Sequence, residues 1–467
     1  MDWITAGLCM FAFTAPSACV GVPFSVGQTG TVLAPLVCLV VTFASSLGAY
    51  VLHDLALKFD CSSLPELGQA LGGHKGRIFG GTIQLGNFLL YMPVATLVCA
   101  QALQGALDPK GNWFSGCIDY WILIVSLVCL ATTQLRSLSN ATALSFVSLG
   151  CVVWVVFTLI YIVWKNPLTE EEKNDTLHFG NPDMGSSSDS LKGWTNFALG
   201  VSTTAWAFVP SFLAVELSNK KVMESPRDFP KAIVLVAILN IIVYCGVGVY
   251  VTNQWGYDIE EPVMRFHAFP GDDIKSRILN LFWFLACLIS YALDSVPLVA
   301  SCQRTWAPNF DVDNDWSFTG IFVYFLISLP SYFSSIVMAL FVPSLFCMLA
   351  IVTALTVPWV NLIYPAYLHN RNAKHEGKNK IESSNAKLLG DEEGGALGED
   401  LLVGGGGGST NDDEGIELSR MAVLFVLFMG VFLFLICALA AIGKLGIQEL
   451  RGPMVVGCNG WIILDVD

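Results

Sequence analysis

Residues 14–23 read TAPSACVGVP, and residues 203–212 read TTAWAFVPSF. Each stretch lies inside a long apolar run and carries proline where a helix would run, Pro16 and Pro23 in the first and Pro210 in the second. A proline inside a helix removes one backbone hydrogen bond and crowds the turn before it. A bilayer-crossing helix needs about 20 mostly apolar residues. Working outward, such runs number eleven, at roughly 4–28, 33–57, 78–106, 119–135, 141–164, 193–215, 232–255, 277–302, 317–336, 340–368 and 421–443. The two stretches fall in the first and the sixth, which open the two five-helix halves of the chain.

Composition supports the same class. Of 467 residues, 54% are hydrophobic and 13% charged, against about 25% charged in soluble domains. The mean hydropathy is +0.61. Too few polar residues are present to cover the outside in water, so lipid must cover much of it. A net charge of −14 argues against a nucleic-acid partner, which demands clustered Lys and Arg. The 14 cysteines are scattered singly, without the paired spacing of a metal site. Most, such as Cys38, Cys99, Cys151, Cys245 and Cys437, read as small apolar core residues. No metal and no cofactor is expected. The first run lacks a basic leader before it and is expected to serve as the start-transfer signal itself.

The expected architecture is an all-α polytopic membrane protein with eleven transmembrane helices, a 5+5 inverted-repeat core plus one extra helix. Residues 1–164 form the first repeat, 165–192 an outer loop, 193–368 the second repeat, 369–420 a linker, and 421–467 the last span with an outer tail. The stretch 371–420 holds GGGGG at 404–408 among acidic residues and reads as a disordered inner linker. With the N-terminus inside, inner loops hold fifteen of the 24 basic residues, among them Lys58, Arg77, Arg227 and Arg371. The outer loops hold acidic runs such as EEEK at 170–173. The positive-inside rule therefore favours this orientation. Asn174-Asp175-Thr176 is a glycosylation sequon on the outer side. Cys117 and Cys458 share that side; each is expected as a free thiol, with a disulfide between them as the alternative.

Taken singly, either proline break reads as a kink. Two at corresponding positions of two halves point instead to a site near the bilayer midplane, because freed backbone groups at that depth must line a cavity or be buried in protein. Ionisable groups inside spans are costly and mark function. Asp294, in YALDSVP of the eighth span, is the clearest; it suits a proton carrier or a cation ligand, and the bland reading is a buried structural carboxyl beside Pro297. Glu216 follows the sixth-span break and is a gate candidate. His53 and Asp54 read as interfacial. Asn87 and Tyr91 share a face of the third span at i, i+4, where a helix–helix hydrogen bond is the commoner role and a solute contact the sharper one.

Ordered motifs then carry a resemblance. PFSVGQTG at 23–30, LPELGQALGGHKGRIFGG at 64–81, SLSNATALSF at 137–146, KKVMESPRDFPKAI at 220–233 and YCGVGVYVTNQWGYDIEEPVM at 244–264 resemble the amino acid/auxin permease family of the amino acid–polyamine–organocation superfamily. The resemblance implies transport of a small neutral amino acid, coupled to H+ or Na+, by alternating access around the breaks of spans one and six. Carried over, the substrate lining is Ser17, Ala18, Cys19 and Gly21 from span one and Thr204, Ala205, Trp206 and Phe208 from span six, and the cation site lies at Asp294 and Ser295. Pro16-Ser17-Ala18 stands where the family keeps Gly-x-Gly, and its added Cβ atoms narrow the approach to the backbone amides. An amino acid sensor with little or no transport, or a carrier of another organic solute, are the alternative readings. Plasma membrane and vacuolar or lysosomal membrane both fit, and the oligomeric state is not legible.

Overall fold

The computed structural model describes residues 1–113, 117–134, 138–169, 190–207, 211–217, 222–257, 259, 262–265, 268–306, 317–342, 345–374, 376 and 420–450. Phe208, Pro210, Asn174, Cys458 and nearly all of the 371–420 stretch lie outside these residues. Every regular element among the described residues is helical. In chain order they are α1 (Trp3–Thr29), α2 (Leu33–Phe59), α3 (Leu64–Leu107), α4 (Ile118–Thr132), α5 (Leu138–Lys165), α6 (Ser190–Trp206), α7 (Ser211–Leu217), α8 (Phe229–Asn240), α9 (Gly246–Trp255), α10 (Ile274–Trp306), α11 (Phe318–Phe341), α12 (Leu345–Pro358) and α13 (Arg420–Leu450).

Among the described residues eight helical stretches are long and apolar enough to cross a membrane. One of them, Pro226–Trp255, joins α8 to α9 through a π turn at Ile241–Cys245. Another, Met348–Lys374, continues α12 through a π turn at Trp359–Ile363. Two further apolar helices are shorter, Ile118–Thr132 and Val426–Ile442. The sixth expected span is two helices, α6 and α7. Large apolar side chains such as Leu127, Phe157, Phe322 and Phe428 stand exposed on the outer helices. In water such a surface would be a liability; against hydrocarbon it is the proper lining.

Local chemistry sets the helix ends. Asp2 Oδ1 accepts the Thr5 amide at 2.8 Å and starts α1, as a capping carboxylate does. Ser317 Oγ does the same for α11. α3 is bent at Gly73, whose φ of 61° and ψ of −151° belong to a region open essentially to glycine. The Leu64–Gly72 arm folds back so closely that a side chain on Gly68 or Gly76 would strike the other's carbonyl oxygen.

α1 is the axis of the bundle. Twenty-one of its 27 residues are buried, and α5, α6, α8, α9 and α10 pack around it. Span one was expected to be broken, and it is not: α1 is one continuous helix through Pro16 and Pro23. The neighbours explain why. Pro16 cannot donate to Ala12, and the Ala12 carbonyl accepts instead from Ser148 Oγ of α5 at 3.3 Å. The Phe13 carbonyl accepts from Ser290 Oγ of α10 at 2.6 Å, the Pro16 carbonyl from Trp283 Nε1 at 2.8 Å, and the Pro23 carbonyl from Thr252 Oγ1 of α9 at 3.2 Å. Of these, the Ala12 carbonyl is the one that Pro16 leaves without its helical donor, and it is supplied from outside.

Loop contacts sort the two ends of the bundle. Lys58 pairs with Glu376, and the Glu224 amide donates to the Met1 carbonyl at 3.0 Å. At the other end Lys110 pairs with Asp272 at 3.1 Å, and Trp255 Nε1 donates to the Asn166 carbonyl at 2.7 Å. This is the partition that the basic loops suggest. Two expectations are corrected. His53 is not interfacial: it is 2% exposed, with its ring 5.0 Å from that of Phe229. Cys117 is disulfide-bonded rather than free.

Gly48 tests the packing. A Cβ there would overlap the Asn361 carbonyl in the second π turn. Gly48→Ala should cost about 1–3 kcal/mol and lower the melting temperature in detergent, while Gly150→Ala, which faces open space, should not. Cys61, in the turn between α2 and α3, supplies a pH test. Burial, with Glu66 and Asp60 beside it, pushes its thiol up to about 11. At pH 8 about a thousandth of it should be thiolate, so maleimide labelling should climb roughly tenfold per pH unit towards 11.

Candidate functional site

α1, α3, α6 and α10 meet beside Pro16. The void between them, about 10 Å³, is lined by Pro16 and Ser17 of α1, Tyr91, Val94, Ala95 and Val98 of α3, Trp206 of α6, and Cys287 and Ser290 of α10. It is a narrow seam, and its walls must part to admit a solute. No lining side chain is charged. The rings of Tyr91 and Trp206 stack with centroids 4.4 Å apart and planes 19° apart, and Phe13 stands 5.4 Å from Tyr91 on the other side.

The seam therefore brings together Ser17, Tyr91 and Trp206 of the expected lining. Ser17 Oγ donates to the Thr14 carbonyl at 3.4 Å and is within hydrogen-bond reach of the Tyr91 hydroxyl. Ala18, Cys19, Gly21 and Ala205 are buried but do not line it. Thr204 is occupied structurally. Ser25 Oγ donates to the Gly200 carbonyl at 2.6 Å and lies 2.5 Å from Thr204 Oγ1. A Cβ on Gly200 would crowd Thr29, Gln28 and the Ser25 carbonyl. This clamp fixes α6 against α1. Thr204 also faces a second small void with Val22, Val26, Cys38 and Cys245.

Asp294 is fully buried, and neither carboxylate oxygen has a hydrogen-bond partner. The adjacent Ser295 turns back to donate to the Ala292 carbonyl at 2.7 Å. Asn87 is buried outside the seam. Glu216 of α7 accepts from Gln84 Nε2 of α3 at 2.5 Å. Among the described residues no three His, Cys, Asp or Glu side chains cluster to hold a metal ion.

Sequence reasoning missed Val94, Ala95, Val98, Cys287 and Ser290. The signal was available for most of them: positions 94, 95 and 98 continue the Asn87–Tyr91 face at helical spacing, and Ser290 lies one turn before Asp294.

Solved structures share the fold. The fold matches that of a Na+-coupled sialic acid symporter in a substrate-bound outward-open state, with a TM-score of 0.50 and 14% identity over 76% of this chain and 78% of that one. It matches equally Mhp1, a nucleobase-cation-symport-1 family transporter, closed around bromovinylhydantoin, with a TM-score of 0.50 and 13% identity over 77% of this chain and 76% of that one. The helical fold is shared with these two structures. The family follows from sequence: residues 2–387 match the model of the transmembrane amino acid transporter proteins, and the chain belongs to that family, whose members are transporters and not enzymes. An amino acid transporter of Arabidopsis thaliana, AVT1C, is 23% identical over 327 residues, which cover 68% of this chain. The match spans about half of that relative's length, 54%.

The two kinds of serine separate by stability. Ser25→Ala should cost about 1 kcal/mol and lower the melting temperature. Ser17→Ala should leave the melt unchanged and weaken only solute binding, read by ligand-induced thermal shift.

Proposed function

We propose that the chain carries a small neutral amino acid across its membrane as a secondary transporter, coupled to a cation, by alternating access around the seam. The observation that carries this reading is the uncharged seam beside Pro16, where hydroxyls and an aromatic pair converge at the meeting of four helices. Ser17, Ser290 and the Tyr91 hydroxyl offer polar contacts for the ends of an amino acid. Val94, Ala95 and Val98 offer an apolar wall for its side chain, and a charged side chain would find no counter-ion. Trp206 and Tyr91 close over the solute.

Span count belongs to the same reading. The eight long helices, the two short apolar ones and the split α6–α7 pair together make eleven crossings, arranged as a five-plus-five inverted repeat with α13 added. Broken α6–α7 supplies the moving element. Asp294 holds the coupling cation, because a bare carboxylate in so buried a place is costly until a proton or cation joins it.

Labelled amino acid uptake by proteoliposomes under imposed H+ and Na+ gradients tests the proposal. Uptake above empty vesicles for at least one small neutral amino acid is expected, and none for arginine or glutamate. Asp294→Asn should leave exchange of labelled for unlabelled solute and remove the response to the driving gradient. An unchanged gradient response in that well-folded variant rejects the role of Asp294.

A further inference from the structure

Three deeply buried polar side chains stand unsatisfied on one helix–helix contact. Gln84 Oε1, both side-chain polar atoms of Asn87 and both carboxylate oxygens of Asp294 have no hydrogen-bond partner. The residues are 1%, 1% and 0% exposed. Buried polar groups are nearly always paired, and an exception calls for a water, an ion or a function. Each orphaned group costs about 1–3 kcal/mol, so five such atoms on one contact ask for occupants.

Their arrangement is a line. α3 and α10 run antiparallel, with Gly105 against Asn280 and the free thiols of Cys99 and Cys287 within hydrogen-bond reach of each other. That register continues to place Asp294 level with Tyr91, with which it interacts electrostatically. Asn87 lies four residues before Tyr91 and Gln84 seven before, on the same face and about 10 Å along the helix at the far end. Gln84 in turn bonds to Glu216 at 2.5 Å. Glu216 is partly exposed, a few residues before the loop of Glu224, at the end of the bundle that carries Lys58 and Glu376. The line bypasses the seam, which none of Gln84, Asn87, Glu216 and Asp294 lines.

We infer that this line is a water-filled proton path from Asp294 past Asn87 and Gln84 to Glu216, separate from the route of the solute, and that the coupling ion is a proton. The inference rests on the transport reading above and names its ion. Amide side chains both donate and accept, so Asn87 and Gln84 can hold waters in either orientation as a proton passes. Hard metal cations gather several oxygens around one point; here the groups are strung along a helix instead. α1, α3, α4, α5 and α11 pack against α10. Among their described residues Tyr91 is the titratable side chain that faces Asp294, and no charged side chain acts on it. In the transfer, the O–H bond of the Asp294 carboxyl breaks and its proton passes to a neighbouring water. Each water hands one proton on, and the last O–H bond forms at Glu216 or in bulk water. Asp294 is left as the carboxylate until it is reprotonated from the opposite side.

The experiment uses the full chain in proteoliposomes and reads two rates. One is exchange of labelled for unlabelled amino acid at equal pH; the other is accumulation driven by a pH gradient. Gln84→Leu and Asn87→Leu should keep exchange and lose gradient-driven accumulation by at least about tenfold, the equivalent of about 1.4 kcal/mol. Asn87→Ser, which still holds a water, should restore part of the loss. Circular dichroism and melting of each variant separate misfolding from uncoupling. Gradient-driven accumulation that survives both leucine variants, or accumulation that follows Na+ and ignores pH, overturns the inference while leaving transport standing. Absence of exchange in the unmodified protein overturns the transport reading itself. In that case the carboxyl stretch in the infrared difference spectrum on a pH jump still decides the path: a band that Asp294→Asn removes and Gln84→Leu delays supports it, and a band unaffected by Gln84→Leu refutes it.

Discussion

The constraint beneath this structure is that a helix at membrane depth has no water to complete its backbone. α1 carries two prolines through the centre of the bundle, and each strips a donor from a place where replacements are scarce. Side chains reach its carbonyls from three directions, one of them the Ala12 carbonyl that Pro16 orphans. Ser148, Ser290, Trp283 and Thr252 all turn their donors onto carbonyls of α1. Because those donors belong to α5, α10 and α9, the relative positions of four helices follow from the completion of one. The seam lies where this dependence is densest, beside Pro16, and the Ser290 that completes the Phe13 carbonyl also lines it.

Much of this was legible from composition and spacing. The apolar runs located nearly every helix, since about 20 apolar residues are a long and unambiguous signal. Tyr91 and Trp206 were found for different reasons, one from a shared helix face and one from the family resemblance, and they stack on each other. Continuity of α1 was not legible. A proline reports the bond it removes and says nothing of a serine on another helix that replaces it. For the same reason Thr204 read as a solute contact and turned out to hold Ser25: both roles ask for a hydroxyl near a break, and only the partner distinguishes them. His53 looked interfacial because sequence places it near the end of a span, whereas its burial comes from Phe229 across the bundle.

The rigid and loose contacts around α1 differ in kind. Towards α6 the contact is close at Gly200, against Thr29, Gln28 and the Ser25 carbonyl, and is reinforced by two hydroxyls. Towards α10 it consists of one serine and one indole reaching a carbonyl each, with the seam between. The α1–α10 side is therefore held by fewer direct contacts than the α1–α6 side.

The two π turns have a consequence in helical phase. A π turn holds one residue more than an α turn, which at 3.6 residues per turn rotates everything downstream by about 100°. Upstream of Ile241, α8 lays Ala232 and Leu235 against Gly7 of α1; downstream of Cys245, α9 lays Gly248 against Val22 and Val26 of the same helix. The extra residue is the phase correction that lets one long helix follow its neighbour twice. Delete it, and the helix would straighten into plain register while turning Gly248 away from α1, leaving a small-residue groove to face hydrocarbon tails.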